Sequence, residues 1–158
     1  MKRMLGLVLL VCALMLTGCQ NQAAVAPVPT AQAPAAAPEI PVVEITEKLF
    51  IAQCNDVYLN PDDYQGKAIK LEGMYQTYVD LAGGNTYHYV MRRGPGCCGY
   101  DGSAGFEFLY DGELPKIDDW IEVVGTVEKM KEGEAEYIVL RASKVTVLTE
   151  RGAEFVNN

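Results

Sequence analysis

A change of periodicity constrains this chain most. From Val43 onward apolar residues recur at every second position, the period of a strand with one buried face. Lys67-Ala68-Ile69-Lys70-Leu71-Glu72-Gly73 sets Ile69 and Leu71 against Lys70 and Glu72, and the pattern runs on through Val79. Thr86 to Arg92 is a second strand, rich in aromatic and β-branched residues. The Gly-Pro-Gly-Cys-Cys-Gly run is expected to break it. Phe106 to Tyr110 is a third strand. Trp120 to Val127 is a fourth, with Ile121, Val123 and Val127 on one face. Tyr137 to Leu148 is a fifth, and its parity shifts near Ser143-Lys144, which predicts a bulge. Leu81 to Asn85, Asp111-Gly112 and Lys131 to Glu134 carry turn residues. Five strands at such short spacing favour a small closed barrel, and a Gly within the first and fourth permits the curvature that closure needs.

Lys48 to Leu59 fits either an extra N-terminal strand or a short helix. Asn60 to Gly66 fits one helical turn, with Asn60 as its cap, Pro61 at its first position and Gly66 as its stop. The expected fold class is all-β: a five-stranded barrel with a short helical turn and an N-terminal extra strand.

The first part of the chain has a different character. Lys2 and Arg3 precede an apolar stretch from Leu5 to Leu16, too short for the roughly 20 residues of a membrane span. This reads as a signal peptide over residues 1–18. It ends in Leu16-Thr17-Gly18-Cys19, which resembles the bacterial lipobox and implies lipidation at Cys19. Two or three acyl chains would hold the protein stably at the membrane. Residues 19–42 are rich in Ala, Pro, Val and Gln, with prolines at 27, 29, 34, 38 and 41. Such a segment is an extended tether. The barrel domain is expected over residues 43–158.

Charge narrows the partners. The 158 residues carry 13 Lys and Arg against 21 Asp and Glu, a formal charge of −8. Nucleic acid is an unsuitable partner, because its recognition needs clustered positive charge. The same charge balance argues against a polybasic grip on anionic lipid.

The strand pattern resembles the OB-fold, with "GKAIKLEG" and "DDWIEVVGTVE" similar to its first and fourth strands. More narrowly, residues 60–127 resemble the extracytoplasmic domain of bacterial permease-partner membrane proteins. Tyr89-Val90-Met91-Arg92, Cys97-Cys98 and Asp101 carry that resemblance. It implies a permease as partner. The chain departs from that family in having a lipid anchor in place of membrane helices.

Cys54, Cys97 and Cys98 are the thiols that remain once the signal and anchor cysteines are set aside. Exposed thiols are costly in an exported protein, because they oxidise. Three uses compete. Cys54 can bridge to Cys97 or Cys98 as a disulfide. Cys97 and Cys98 can hold a soft or borderline divalent metal ion, with Cys54, His88 or Asp101 completing the ligand set. The thiols can also pack as small hydrophobes or pair as neighbours. His88, the one histidine, joins such a set only if the fold brings it beside the cysteines.

Arg92 and Arg93 beside Gly94 and Gly96 are candidates for binding an anion, against the simpler expectation of a solvated pair facing acidic neighbours. Tyr75, Tyr78, Tyr87, Tyr89 and Tyr100 cluster where OB-folds carry their ligand platform. The acidity of the chain favours their alternating between the core and a covered face. Trp120 is expected to anchor the core.

No Ser-His-Asp order, GxSxG, HExxH, phosphate loop or dinucleotide fingerprint occurs. The expectation is a non-enzymatic, membrane-anchored, extracytoplasmic binding module with a metal ion near Cys97-Cys98, serving a transport partner. The alternative is a protein- or glycan-binding module whose cysteines form a structural disulfide.

Overall fold

A computed structural model of the chain describes residues 41–157. The signal peptide, Cys19 and nearly all of the tether lie outside the described residues. Six strands form one sheet: β1 (Val42–Glu44), β2 (Ala68–Val79), β3 (Thr86–Gly96), β4 (Gly99–Leu109), β5 (Trp120–Glu132) and β6 (Ala135–Val147). Their order is β1-β2-β3-β4-β6-β5, and β5 pairs back onto β2. That last pairing closes β2 to β6 into a five-stranded barrel of OB-like topology, the expected class. The β4–β6 contact is parallel, through Phe108 opposite Leu140. All other barrel pairs are antiparallel.

The alternation read from the sequence becomes the barrel interior. Ile69, Leu71, Val90, Phe106, Phe108, Ile121, Val123, Val127 and Leu140 point into a single fully buried cluster. Gly73 lies where β2 turns from β5 to β3. A Cβ there would stand 2.6 Å from the Met91 carbonyl oxygen, so only glycine admits this close approach. The predicted bulge is present. Val124 faces Lys144 and Gly125 faces Ala142, so Ser143 is the extra residue, its hydroxyl donating to the Val124 carbonyl at 3.1 Å.

The N-terminal extra strand exists, but it is Val42–Glu44, parallel to β2. It begins one residue inside the segment assigned to the tether. Lys48 to Leu59 is helical: a 3-10 turn at Glu47–Leu49 leads into α1 (Phe50–Leu59). Phe50, Cys54 and Val57 fall on one face at helical spacing and join the core cluster. Burying that stripe overrides the strand-like composition of the segment. The predicted single turn is α2 (Pro61–Tyr64), after which Gly66 adopts φ +77°. Asn60 does not cap it through its side chain; its amide donates instead to Asp56 at 2.7 Å.

Past β6 the chain returns to the barrel. The Arg93 amide donates to the Glu154 carbonyl and the Val156 amide to the Arg93 carbonyl, both at 2.9 Å, and Val156 is buried.

Candidate functional site

The Gly-Pro-Gly-Cys-Cys-Gly run does not end its strand early, as the sequence suggested. Strand β3 continues to Gly96 and β4 starts at Gly99, so Cys97 and Cys98 are the two-residue turn of a long hairpin. Glycines make this tip possible. Gly99 has φ +114°, a value side chains avoid. A Cβ on Gly96 would lie 2.0 Å from Asp101 Oδ1, so the bare Gly96 backbone is what lets the Asp101 carboxylate fold beneath the turn.

Three donor groups converge there. Cys97 Sγ and Cys98 Sγ are 3.3 Å apart, and Cys97 Sγ donates to Asp101 Oδ2 at 3.6 Å. The Cys98 amide donates to Asp101 Oδ1 at 3.3 Å. The ligand atoms of Cys97, Cys98 and Asp101 all lie within 4.8 Å of one another, and all three residues are exposed. Cys98 first, and then Asp101, push the Cys97 thiol up from its ordinary value, because both hydrogen bonds favour its protonated form.

Two thiolates and a carboxylate suit a borderline ion such as Zn²⁺. Around a tetrahedral ion with Zn–S of about 2.3 Å, two sulfurs stand about 3.8 Å apart. The tip therefore needs to open by about half an ångström. Three ligands on an exposed turn leave a fourth position open.

Cys54 and His88 are placed elsewhere. Cys54 is buried on α1, and its burial pushes the thiol up to about 12. His88 Nδ1 shares a 2.7 Å hydrogen bond with the Tyr75 hydroxyl, and the two rings stack at 5.9 Å. No disulfide joins the described cysteines, which are all free.

The two arginines are engaged with carboxylates. Arg92 is buried, not solvated. Its Nε donates to the Glu72 carbonyl at 2.8 Å, and its Nη1 donates to Glu47 Oε2 at 2.8 Å and to the Ala153 carbonyl at 3.1 Å. Its guanidinium also lies 4.8 Å from the Phe50 and Trp120 ring centroids. Buried and held by these contacts, Arg92 ties the 3-10 turn, the barrel and the tail together rather than standing free for an anion. Exposed Arg93 pairs with Glu154 at 3.1 Å.

The tyrosines divide. Tyr75 is core, and Tyr100 meets Phe155 edge-on at 5.5 Å. Tyr78, Tyr87 and Tyr89 line a cleft of about 660 Å³, completed by Tyr58 and Pro61 from the helices, Glu107 from β4, and residues of the β5–β6 hairpin including Tyr137. Trp120 is buried as expected, although its indole N–H has no hydrogen-bond partner.

A small OB-like barrel with a cysteine-tipped hairpin is thus the class this chain defines. Residues 28–156 match the DUF1980 C-terminal domain, and the chain belongs to that family. No curated protein is similar enough to the chain to count as a relative.

Proposed function

We propose that this protein is a non-enzymatic, membrane-anchored, extracytoplasmic binding module that holds a divalent metal ion at Cys97, Cys98 and Asp101 and serves a transport partner. The convergence of two thiols and a carboxylate at an exposed turn carries this reading. The open coordination position supports delivery, because an incompletely caged ion is free to accept a partner's ligand. Cys19 lipidation would keep the module at the membrane beside a permease, the partner that the resemblance of residues 60–127 implies.

The test is Zn²⁺ loading of the reduced full-length protein. One ion per chain is expected, lost in Cys97→Ser and Cys98→Ser, with the tip thiols protected from alkylation while the ion is bound. If the chain retains no ion and its thiols alkylate equally with and without Zn²⁺, the metal reading is overturned. A fractionation experiment checks the anchor: Cys19→Ser should move the protein out of the membrane fraction.

The tyrosine-lined cleft favours the second reading, a protein- or glycan-binding module with structural cysteines. That reading expects a glycan or peptide to perturb the cleft tyrosines, with the tip thiols alkylating equally with and without Zn²⁺.

A further inference from the structure

The cleft at the other end of the β3–β4 hairpin has a chemistry of its own. Its walls are aromatic: Tyr58, Tyr78, Tyr87, Tyr89 and Tyr137. Its volume of about 660 Å³ falls in the range of small-molecule pockets. Glu107 stands in its lining. This residue is 9% exposed, yet its carboxylate has no hydrogen-bond or ion-pair partner among the described residues. Its oxygens still touch solvent at the cleft, but a carboxylate this far desolvated and without a counter-charge is costly to keep.

Its neighbours do not relieve that cost. Glu132 lines the same cleft and adds like-charge repulsion to the burial already acting on Glu107. Asp80 and Glu136 add two more acidic side chains. Lys129 is the one basic residue in the lining, and it is paired with Asp62. Lys131 nearby is paired with Glu136 at 3.1 Å. The cleft is therefore anionic at its wall and electron-rich on its ring faces, and it repels phosphates and carboxylates. One class of ligand satisfies both features at once. A cation with an organic body lies over tyrosine faces and neutralises the buried carboxylate.

We infer that this cleft is a binding site for a small organic ammonium ion, with Glu107 as its counter-ion and the tyrosine rings as its walls. The site is distinct from the Cys97-Cys98 turn and does not depend on metal there.

Choline and spermidine, titrated into the full-length protein with a chelator present, are the probes. Backbone amide shifts report where each binds, and the uncharged carbon isostere of choline serves as control. At least one cation is expected to shift Tyr87, Tyr89, Glu107 and Tyr137 saturably without moving Cys97 to Asp101, and the isostere is not. Glu107→Gln should weaken binding about tenfold or more, as expected when one partner of a desolvated charge pair is removed. Its melting temperature should stay level or rise, an outcome that a purely structural glutamate would not give. Tyr87→Leu, at a half-buried wall position, provides a second variant and should weaken binding several-fold. The inference is overturned if neither cation gives saturable shifts, if the isostere binds equally, or if Glu107→Gln and Tyr87→Leu bind like the wild type.

Discussion

Gly96 shows how much one missing side chain determines at the hairpin tip. In Gly96→Ala the new methyl would occupy the place of the Asp101 carboxylate, 2.0 Å away. Asp101 must swing out, and the third of the proposed metal ligands goes with it. The tip is exposed, so the barrel should keep its melting temperature within a few degrees, consistent with about 0.5 kcal/mol for a surface change. Zn²⁺ affinity should fall about tenfold or more, which a competition titration against a chelator measures. Glu107 gives a prediction with a pH signature. Burial, and after it Glu132, hold its carboxyl above the ordinary glutamate range. The folded protein therefore binds this proton more tightly than the unfolded chain, and Glu107 costs stability at neutral pH. That cost shrinks as pH falls through the raised folded value and is gone below the unfolded one. Glu107→Gln should accordingly be at least as stable as the wild type at pH 7, with the difference closing in acid, read by denaturant titration at several pH values.

The residues of the tip were legible because they are neighbours in sequence: two cysteines between glycines, with an aspartate three positions on. Glu107 was not. Phe106-Glu107-Phe108 reads as a strand with its glutamate in solvent, whereas Tyr89 opposite it on β3, the end of α1 and the β5–β6 hairpin build a cleft around it. Cys54 and His88 could be joined to the tip only by guessing distances that no local pattern encodes.

Elements show the same division. The barrel strands and the Ser143 bulge follow from period-two alternation, because each strand meets the core on one face only. Helix α1 is ambiguous in sequence because its ten residues mix apolar and polar side chains, with no acidic residue in the first turn and no basic one in the last to mark its ends. Its three buried residues acquire meaning only against the open end of a barrel. Strand β2 carries the sharpest element-level prediction. Gly73→Val would drive a branched side chain into the Met91 backbone, at the point where β2 passes from one partner strand to the other. Overpacking of this kind costs about 1–3 kcal/mol, and relief requires the two sheet halves to separate. A lower melting temperature with weakened amide protection in both β3 and β5 is expected. Protection lost in β3 alone would show that the seam tolerates the side chain.

At the scale of the whole molecule, Arg92 and Glu47 hold the two ends of the domain to the barrel. Glu47 accepts the Ala153 amide at 2.8 Å as well as the Arg92 guanidinium. The Ala153 hydrogen bond first, and Arg92 after it, hold the Glu47 carboxyl below the usual range. A depressed folded value stabilises above the ordinary glutamate range and loses that effect as pH falls through the folded value. Glu47 is half exposed, so solvent screens much of its pairing and the gain is modest. Glu47→Gln should be slightly less stable than the wild type at pH 7 and equal to it in strong acid. Its trend with pH is opposite to that of Glu107→Gln, and the two variants together separate the groups.

Closure of the barrel through β2 and β5 also has a kinetic consequence. Ala68 meets Thr126 and Met74 meets Trp120, so the seam joins segments far apart along the chain. The β5–β6 hairpin, by contrast, turns at Gly133 with neighbouring strands. Loop-closure entropy opposes the distant pairing until local ribbons exist, which places folding in the range of roughly milliseconds to seconds. In stopped-flow experiments, substitutions in the β5–β6 ribbon should slow refolding. Those at the β2–β5 seam should chiefly speed unfolding. The persistence of the native barrel is then governed by how rarely that one seam comes apart.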